Sequence, residues 1–303
     1  MTTELNGRLT GKLDVGYQRT CTCPANHLNC MTAKEWIKSQ LGVWQFNYEK
    51  RDIRDKDVHP AVFPIGLAKR VIELFTHRGE LVLDPFVGSG TTLIAARDLD
   101  RNCVGFDLNE KYIELCKQRL SQESLLPTSK QIAVSDDSRN IDRYLEKETL
   151  SLIFTSPPYA NLLNRRRLNK SRRGELRKND QFLRVEQYSQ DLRDLGTLNI
   201  EEYQKAMKEI YQKLLPLTRT GGHNVINVPD MWWNDPKTRR GHRVPIHIYV
   251  YHAMLDAGWE LKNTIIWDRT NIVNQIGIFG WPSNYITMGT TFEYLLDFWK
   301  PKD

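Results

Sequence analysis

The sequence predicts an α/β fold in which a mostly parallel sheet carries helices on both faces. Short apolar runs alternate with segments of helical periodicity along most of the 303 residues, which is the pattern of repeated strand–helix units. The apolar run at 81–83 leads into the turn Gly88-Ser89-Gly90 and then into the helix-forming stretch 93–96. A strand, a glycine turn and a helix in that order are typical of the start of a nucleotide-binding β-α-β unit.

The remaining elements follow in a regular order. We expect a single domain over 1–303, with a polar N-terminal extension at 1–35 and a basic insert at 160–199. A helix running into an extended segment is expected at 31–46, and further helices are expected at 65–75, 93–99, 110–120, 200–215 and 245–256. Strands are expected at 81–84, 103–107, 132–135, 151–155, 223–228, 261–267 and 291–299. Because no helix separates the last two strands, they form a hairpin and the last strand is antiparallel.

Carboxylates follow the first strands of this unit. Asp84 ends the first strand, and Asp107 ends the second, 17 residues after Gly90, which is close to the spacing at which an acidic residue meets a ribose. Asp136 and Asp137 follow the third strand. Helix capping would also explain Asp84 and Asp107, but two carboxylates at consecutive strand ends favour a ligand site.

Two loops carry a resemblance to a known family. Residues 84–92 read Asp-Pro-Phe-Val-Gly-Ser-Gly-Thr-Thr, and residues 156–159, at the end of a later strand, read Ser-Pro-Pro-Tyr. Together they resemble the amino-group DNA methyltransferases that use S-adenosylmethionine, and the serine form looks most like the N4-cytosine branch. The resemblance covers roughly residues 35–300 and implies the Rossmann-like, seven-stranded methyltransferase sheet. The motif order resembles the gamma type, whereas a Ser-Pro-Pro loop is commoner with the permuted beta order.

The resemblance implies a binding site for S-adenosylmethionine. Asp107 would accept from the ribose hydroxyls, and Asp137, with Asp136 as the alternative, would accept from the adenine amino group. His59, Pro60 and Phe63 match a segment that packs against the methionine end of the cofactor, although a proline-rich helix start would also explain them. The other cofactor residues implied by the match are Asp84, Phe86, Gly88, Ser89, Gly90, Thr91, Thr92 and Leu108.

The resemblance also implies a catalytic loop of Ser156, Pro157, Pro158 and Tyr159. The Ser156 oxygen and the Pro157 carbonyl would accept the two hydrogens of the target amine, and Tyr159 would stack on a base rotated out of the duplex. We expect cytosine N4 as the target, with adenine N6 as the first alternative. A catalytically dead DNA-binding protein and a methyltransferase of RNA or of protein glutamine are the others. Methylation at cytosine C5 is excluded because no cysteine follows a proline.

Charge points to double-stranded DNA as the partner. The chain carries a net charge of +6, and its insert at 160–199 holds ten Lys and Arg against five acidic residues. A solvated charged loop is the alternative interpretation. The arginines expected to contact phosphates are Arg165, Arg166, Arg167, Arg172 and Arg173 in the insert and Arg239 and Arg240 further on.

Other features narrow the class of protein. The chain has no apolar run long enough for a membrane span and no secretory pattern, and five cysteines do not make a disulfide framework, so we expect a cytoplasmic enzyme, in a restriction–modification setting. Cys21, Cys23, His27 and Cys30 cluster in the N-terminal extension. The Cys-x-Cys spacing is poor for a structural zinc knuckle, so we expect no metal there. The sequence leaves the oligomeric state and the target site open.

Overall fold

The computed structural model describes residues 3–5, 8–24, 26–53, 63–122, 128–163, 191–234, 241–272 and 289–302. Within these ranges the α-helices are Ala33–Ser39 (α1), Lys50–Ile53 (α2), Ile65–Phe75 (α3), Thr91–Asp98 (α4), Glu110–Gln122 (α5), Ile200–Leu214 (α6) and Ile246–Asp256 (α7). Short 3-10 helices occupy Ser138–Arg143, Ala160–Leu163, Leu195–Thr197 and Leu215–Leu217. None of the helices in the described ranges has the length and apolar character needed to cross a bilayer.

Most strands lie where the apolar runs predict them. The strands are Thr3–Leu5 (β1), Arg8–Thr10 (β2), Val43–Gln45 (β3), Leu81–Asp84 (β4), Asn102–Asp107 (β5), Gln131–Ser135 (β6), Leu150–Thr155 (β7), Thr218–Val228 (β8), Met231–Asn234 (β9), Gly241–Val244 (β10), Glu260–Asp268 (β11) and Phe292–Trp299 (β12). β1 pairs with β2 and β9 pairs with β10 as separate antiparallel hairpins. The β9–β10 hairpin was not predicted.

The central sheet has the order β3-β11-β12-β8-β7-β4-β5-β6. β7, β4, β5 and β6 run parallel, and β12 lies antiparallel between β11 and β8, which confirms the predicted mostly parallel sheet with an antiparallel last strand. The sheet has one strand more than the predicted seven, because the short strand β3 pairs in parallel with β11. The sequence predicted an extended segment there, but its partner lies more than 200 residues away, where local patterns give no information.

The two faces of the sheet pack against different helices. Along β4, Leu81 and Leu83 belong to the core under α6 and α7, whereas Val82 belongs to the core under α3 and α4. This alternation follows from the two-residue period of a strand, and it explains why the central strands are apolar on both sides.

The sheet topology fixes where a ligand would bind. From β4 the chain moves outward through β5 to β6 and then returns to the other side of β4 to form β7. The crevice outside the carboxyl ends of β4 and β7 is therefore the point where the strand order reverses, and α/β sheets bind their ligands at such points.

Candidate active site

The glycine loop between β4 and α4 is held in a conformation that suits only glycine at two positions. Gly88 and Gly90 have positive φ angles of 49° and 85°. A Cβ at Gly90 would also collide with the Cys116 side chain of α5. The loop therefore packs closely against α5 and delivers the N-terminus of α4, with its unpaired backbone N–H groups, to the crevice.

Asp84 supports this loop from behind. Its carboxylate accepts from the backbone N–H of Phe86 at 3.1 Å and from the hydroxyl of Thr92 at 2.5 Å. Burial raises the pKa of Asp84 to about 6. Asp84, Gly90 and Thr92 do not line the crevice, whereas Phe86, Gly88, Ser89 and Thr91 from the same loop do.

Asp107 joins the end of β5 to the glycine loop. One carboxylate oxygen accepts from the backbone N–H of Gly88 at 3.1 Å, and the other accepts from the backbone N–H of Asn109 at 2.8 Å. Burial raises the pKa of Asp107 to about 7, and the negative charges of Asp194 and Asp84 add to the effect. Asp107 and Leu108 both line the crevice.

The two consecutive aspartates after β6 have different surroundings. Asp137 lines the crevice and forms an ion pair with Arg139 at 2.9 Å. Asp136 instead accepts from the hydroxyl of Tyr144 at 2.7 Å and from the side-chain amide of Asn140 at 2.9 Å. The geometry therefore favours Asp137 over Asp136 as the residue that faces a ligand.

The Ser-Pro-Pro-Tyr loop closes the other side of the crevice. All four residues, Ser156 to Tyr159, line it directly after β7. The Ser156 Oγ and the Tyr159 hydroxyl lie 2.6 Å apart and share a hydrogen bond in which either atom can donate. Serine and tyrosine are thus oriented by each other rather than by residues outside the loop.

Phe63 lines the same crevice and packs its ring against Phe154 at a centroid distance of 5.1 Å. The other predicted residues of its segment, His59 and Pro60, lie outside the described residues. So do the predicted DNA-contacting arginines Arg165, Arg166, Arg167, Arg172, Arg173, Arg239 and Arg240.

Several lining residues were not identified from the sequence. Asp194 is 7% exposed, accepts from the backbone N–H of Gly196 at 2.7 Å, and has a pKa raised by burial and by the charge of Asp191. It reaches the crevice because the two described ends of the insert lie side by side, with the Asn161 N–H donating to the Leu198 carbonyl at 2.8 Å. The others are Asn109, Tyr112, Ser138 and Leu195. None of them lies in a motif, so only the tertiary fold reveals them.

The lined crevice, which we call the cleft, suits a nucleoside-containing ligand. It measures about 890 Å³, open space at its mouth included. Two carboxylates, Asp107 and Asp137, stand at the ends of adjacent strands, where they can accept from hydroxyl and amino groups. Phe63, Phe86 and Tyr112 provide aromatic surface. This donor set fits the ribose and adenine of S-adenosylmethionine.

A comparison with known families agrees with this geometry. The family model N6_N4_Mtase, described as DNA methylase, matches residues 19–118 and 150–303, well over half of the chain. The chain belongs to this DNA methylase family. Its cofactor is S-adenosylmethionine.

Parts of this DNA methylase are similar to Type II methyltransferases. It is 40% identical to M.HpaI of Haemophilus parainfluenzae over 81 residues, which cover 27% of this chain and 26% of that protein. It is 31% identical to M.BglI of Bacillus subtilis over 128 residues, or 42% of this chain and 36% of that protein. The chain thus matches about a quarter to a third of the length of these relatives.

Solved structures with a similar fold were also found. TrmN from Thermus thermophilus is 17% identical with a TM-score of 0.48, and the match covers 82% of this chain and 53% of that one. Another structure from the same organism, complexed with S-adenosyl-L-methionine, is 19% identical with a TM-score of 0.35, covering 55% of this chain and 52% of that one.

Proposed function

We propose that this DNA methylase transfers the methyl group of S-adenosylmethionine to an exocyclic amine of a base in DNA. The observation that carries the proposal is that Asp107, Asp137 and the loop from Ser156 to Tyr159 line one cleft. A residue set suited to the cofactor and a loop suited to an amine acceptor therefore face each other, which is the arrangement that direct transfer between two bound molecules requires.

The cofactor half of the cleft is assigned as follows. Asp107 accepts from the ribose hydroxyls, and Asp137 accepts from the adenine amino group. The N-terminus of α4, with the backbone of Gly88 and Ser89, attracts the cofactor carboxylate. Phe63 covers the methionine end, together with His59 and Pro60. The cofactor itself supplies a methyl group on a sulfonium cation.

The acceptor half is assigned to the Ser-Pro-Pro-Tyr loop. An exocyclic amine is a weak nucleophile because its lone pair is delocalised into the ring, and an acceptor on each amine hydrogen helps to localise that pair on nitrogen. When the Ser156 hydroxyl donates to the Tyr159 oxygen 2.6 Å away, the lone pairs of Ser156 are free to accept from the amine. The Pro157 carbonyl takes the second hydrogen, Pro158 keeps the turn rigid, and the Tyr159 ring stacks on the flipped base.

We assign cytosine N4 as the target, with adenine N6 as the alternative. The support is Ser156, since the serine form of the loop resembles the N4-cytosine branch of the family. Both targets are exocyclic amines, so the geometry of two acceptors on one nitrogen serves either of them. A role in a restriction–modification system in the cytoplasm is proposed from the Type II relatives.

Double-stranded DNA is the proposed substrate. The net charge of +6 supports a polyanionic partner. The β9–β10 hairpin begins three residues after β8 ends, and it pairs Trp232, which is 40% exposed, with Arg243. An aromatic ring beside a cation suits contact with bases and phosphates. We add this pair to the predicted contacts from Arg165, Arg166, Arg167, Arg172, Arg173, Arg239 and Arg240.

The test is to identify the product. The purified protein is incubated with labelled S-adenosylmethionine and DNA of mixed sequence, and the DNA is then digested to nucleosides. We expect label in N4-methylcytosine. Label only in N6-methyladenine would overturn the cytosine assignment, and transfer to RNA or protein but not DNA would overturn the substrate. A protein that binds the cofactor and DNA without transfer would be the dead-enzyme alternative.

A further inference from the structure

We propose that Cys21, Cys23, Cys30 and His77 together bind one zinc ion. Their ligand atoms, three sulfurs and the imidazole nitrogen, all lie within 4.8 Å of one another. The Cys21 Sγ lies 3.3 Å from the His77 Nδ1, and the Cys30 Sγ lies 3.6 Å from the Cys21 Sγ and 3.7 Å from the His77 Nδ1. No part of the proposed methyl transfer uses these residues.

The separations match a tetrahedral zinc site. With zinc–sulfur and zinc–nitrogen bonds of about 2.3 and 2.0–2.1 Å, tetrahedral ligands stand about 3.8 Å apart for two sulfurs and about 3.6 Å apart for sulfur and nitrogen. The measured 3.6, 3.3 and 3.7 Å agree with these values within a few tenths of an ångström. All three cysteines are free thiols. Three thiolates and an imidazole select zinc over magnesium or calcium, which prefer oxygen ligands.

The surroundings of the cluster suit a metal with thiolate ligands. The backbone N–H of Arg78 donates to the Cys30 sulfur at 3.3 Å, which is the kind of outer contact that orients a metal ligand. Three thiolates and one divalent cation carry a net charge of −1. The guanidinium groups of Arg19 and Arg101 lie close enough to interact electrostatically with the cluster and offset that charge.

The fold explains why the sequence pointed to a different fourth residue. His27 lies between the cysteines in the chain, but the described cluster contains His77, which is 47 residues beyond Cys30. His77 lies between α3 and β4, and the N-terminal segment reaches it because the Thr20 N–H donates to the Arg78 carbonyl at 2.8 Å. The poor Cys-x-Cys spacing made a metal unexpected, but the missing ligand comes from a distant element.

The position of the site indicates a structural role. His77 precedes β4, so the cluster lies at the amino end of that strand, whereas the cleft lies beyond its carboxyl end. Four protein ligands complete a tetrahedral sphere and leave no position for a substrate. The zinc would fasten the segment around residues 20–30 to the body of the domain.

The proposal is tested on the full chain purified under reducing conditions without added metal. Metal analysis by mass spectrometry should find about one zinc ion per chain, as expected of a closed structural site. Cys23→Ser and His77→Ala should each lose most of it. His27→Ala is the matched control, because it removes a nearby histidine that is outside the cluster, and it should retain the zinc.

A second measurement does not depend on the variants folding. The wild-type protein is stripped of metal with a chelator and titrated with cobalt(II), whose absorption reports ligand type and geometry. We expect thiolate-to-cobalt charge-transfer bands and the intense visible bands of a tetrahedral site. The proposal is overturned if the wild-type chain contains no zinc and gives no such spectrum, if a disulfide between Cys21 and Cys30 is found instead, or if His27→Ala loses as much zinc as His77→Ala.

Discussion

The affinity of the protein for S-adenosylmethionine should depend on pH through Asp107. The carboxyl group is buried, and its pKa is raised to about 7. The ribose hydroxyls need an ionised acceptor, so cofactor binding favours the carboxylate and competes with the proton. The sign follows directly: because the pKa is raised, affinity is full above about pH 7 and falls as the pH drops below it.

The magnitude can be worked from that pKa. A single proton that competes at a pKa of about 7 lowers the affinity about tenfold between pH 8 and pH 6. Asp107→Ala removes both the acceptor and the titration. Loss of hydrogen bonds to a charged group costs about 1.5–3 kcal/mol, or roughly a 10- to 150-fold loss of affinity at the higher pH.

Isothermal titration calorimetry of both proteins across this pH range is the assay. The pH step should be present in the wild-type protein and absent in Asp107→Ala. Any step that belongs to the amino group of the cofactor remains in both proteins and cancels in the comparison. Asp142→Ala, an exposed carboxylate outside the cleft, is the control and should behave as wild type. An equal pH step in wild type and Asp107→Ala, or unchanged affinity in a folded variant, would refute the assignment of Asp107.

Three further predictions concern the rest of the site. Asp137→Asn should weaken cofactor binding measured by calorimetry, whereas Asp136→Asn should leave the affinity intact in the folded fraction, because only Asp137 lines the cleft; the reverse order would assign the adenine contact to Asp136. Tyr159→Phe should slow methyl transfer about 2- to 13-fold, since Ser156 loses a hydrogen bond of about 0.5–1.5 kcal/mol, and Tyr159→Ala should also weaken DNA binding; equal rates in Tyr159→Phe and wild type would mean that this bond does not orient Ser156. Neutralising Arg165, Arg166 and Arg167 together should flatten the plot of log affinity for DNA against log salt, and an unchanged slope would make the insert a solvated loop.

The strands and helices near the cleft were predictable because their signals are local. Apolar runs at 81–83 and 151–155 mark buried parallel strands wherever they occur, and the positive φ angles of Gly88 and Gly90 require residues that the sequence states openly. The loop after β7 was predictable for the same reason. The order of the strands then brings these loops together at one edge of the sheet.

The missed features all depend on contacts between distant parts of the chain. β3 is three residues long and is a strand only through its pairing with β11. Asp194 follows a charged insert and reaches the cleft through the contact of Asn161 with Leu198. His77 stands alone in the sequence and meets the three cysteines only when α3 and β4 are in place. Periodicity and spacing carry no information on such pairings.

The central claim, that the Ser-Pro-Pro-Tyr loop activates the amine beside a separately bound cofactor, is tested most directly by Ser156→Ala. The measurement pairs single-turnover methyl transfer to DNA with cofactor affinity in the same preparation. Loss of one hydrogen bond aimed at the transition state should lower the rate about a hundredfold, while the affinity for S-adenosylmethionine stays unchanged. Ser135→Ala, an exposed serine at the end of β6, should retain the wild-type rate. A full rate in Ser156→Ala would show that this loop is not the catalytic centre, and a loss of cofactor affinity equal to the loss of rate would place Ser156 on the cofactor instead of the base.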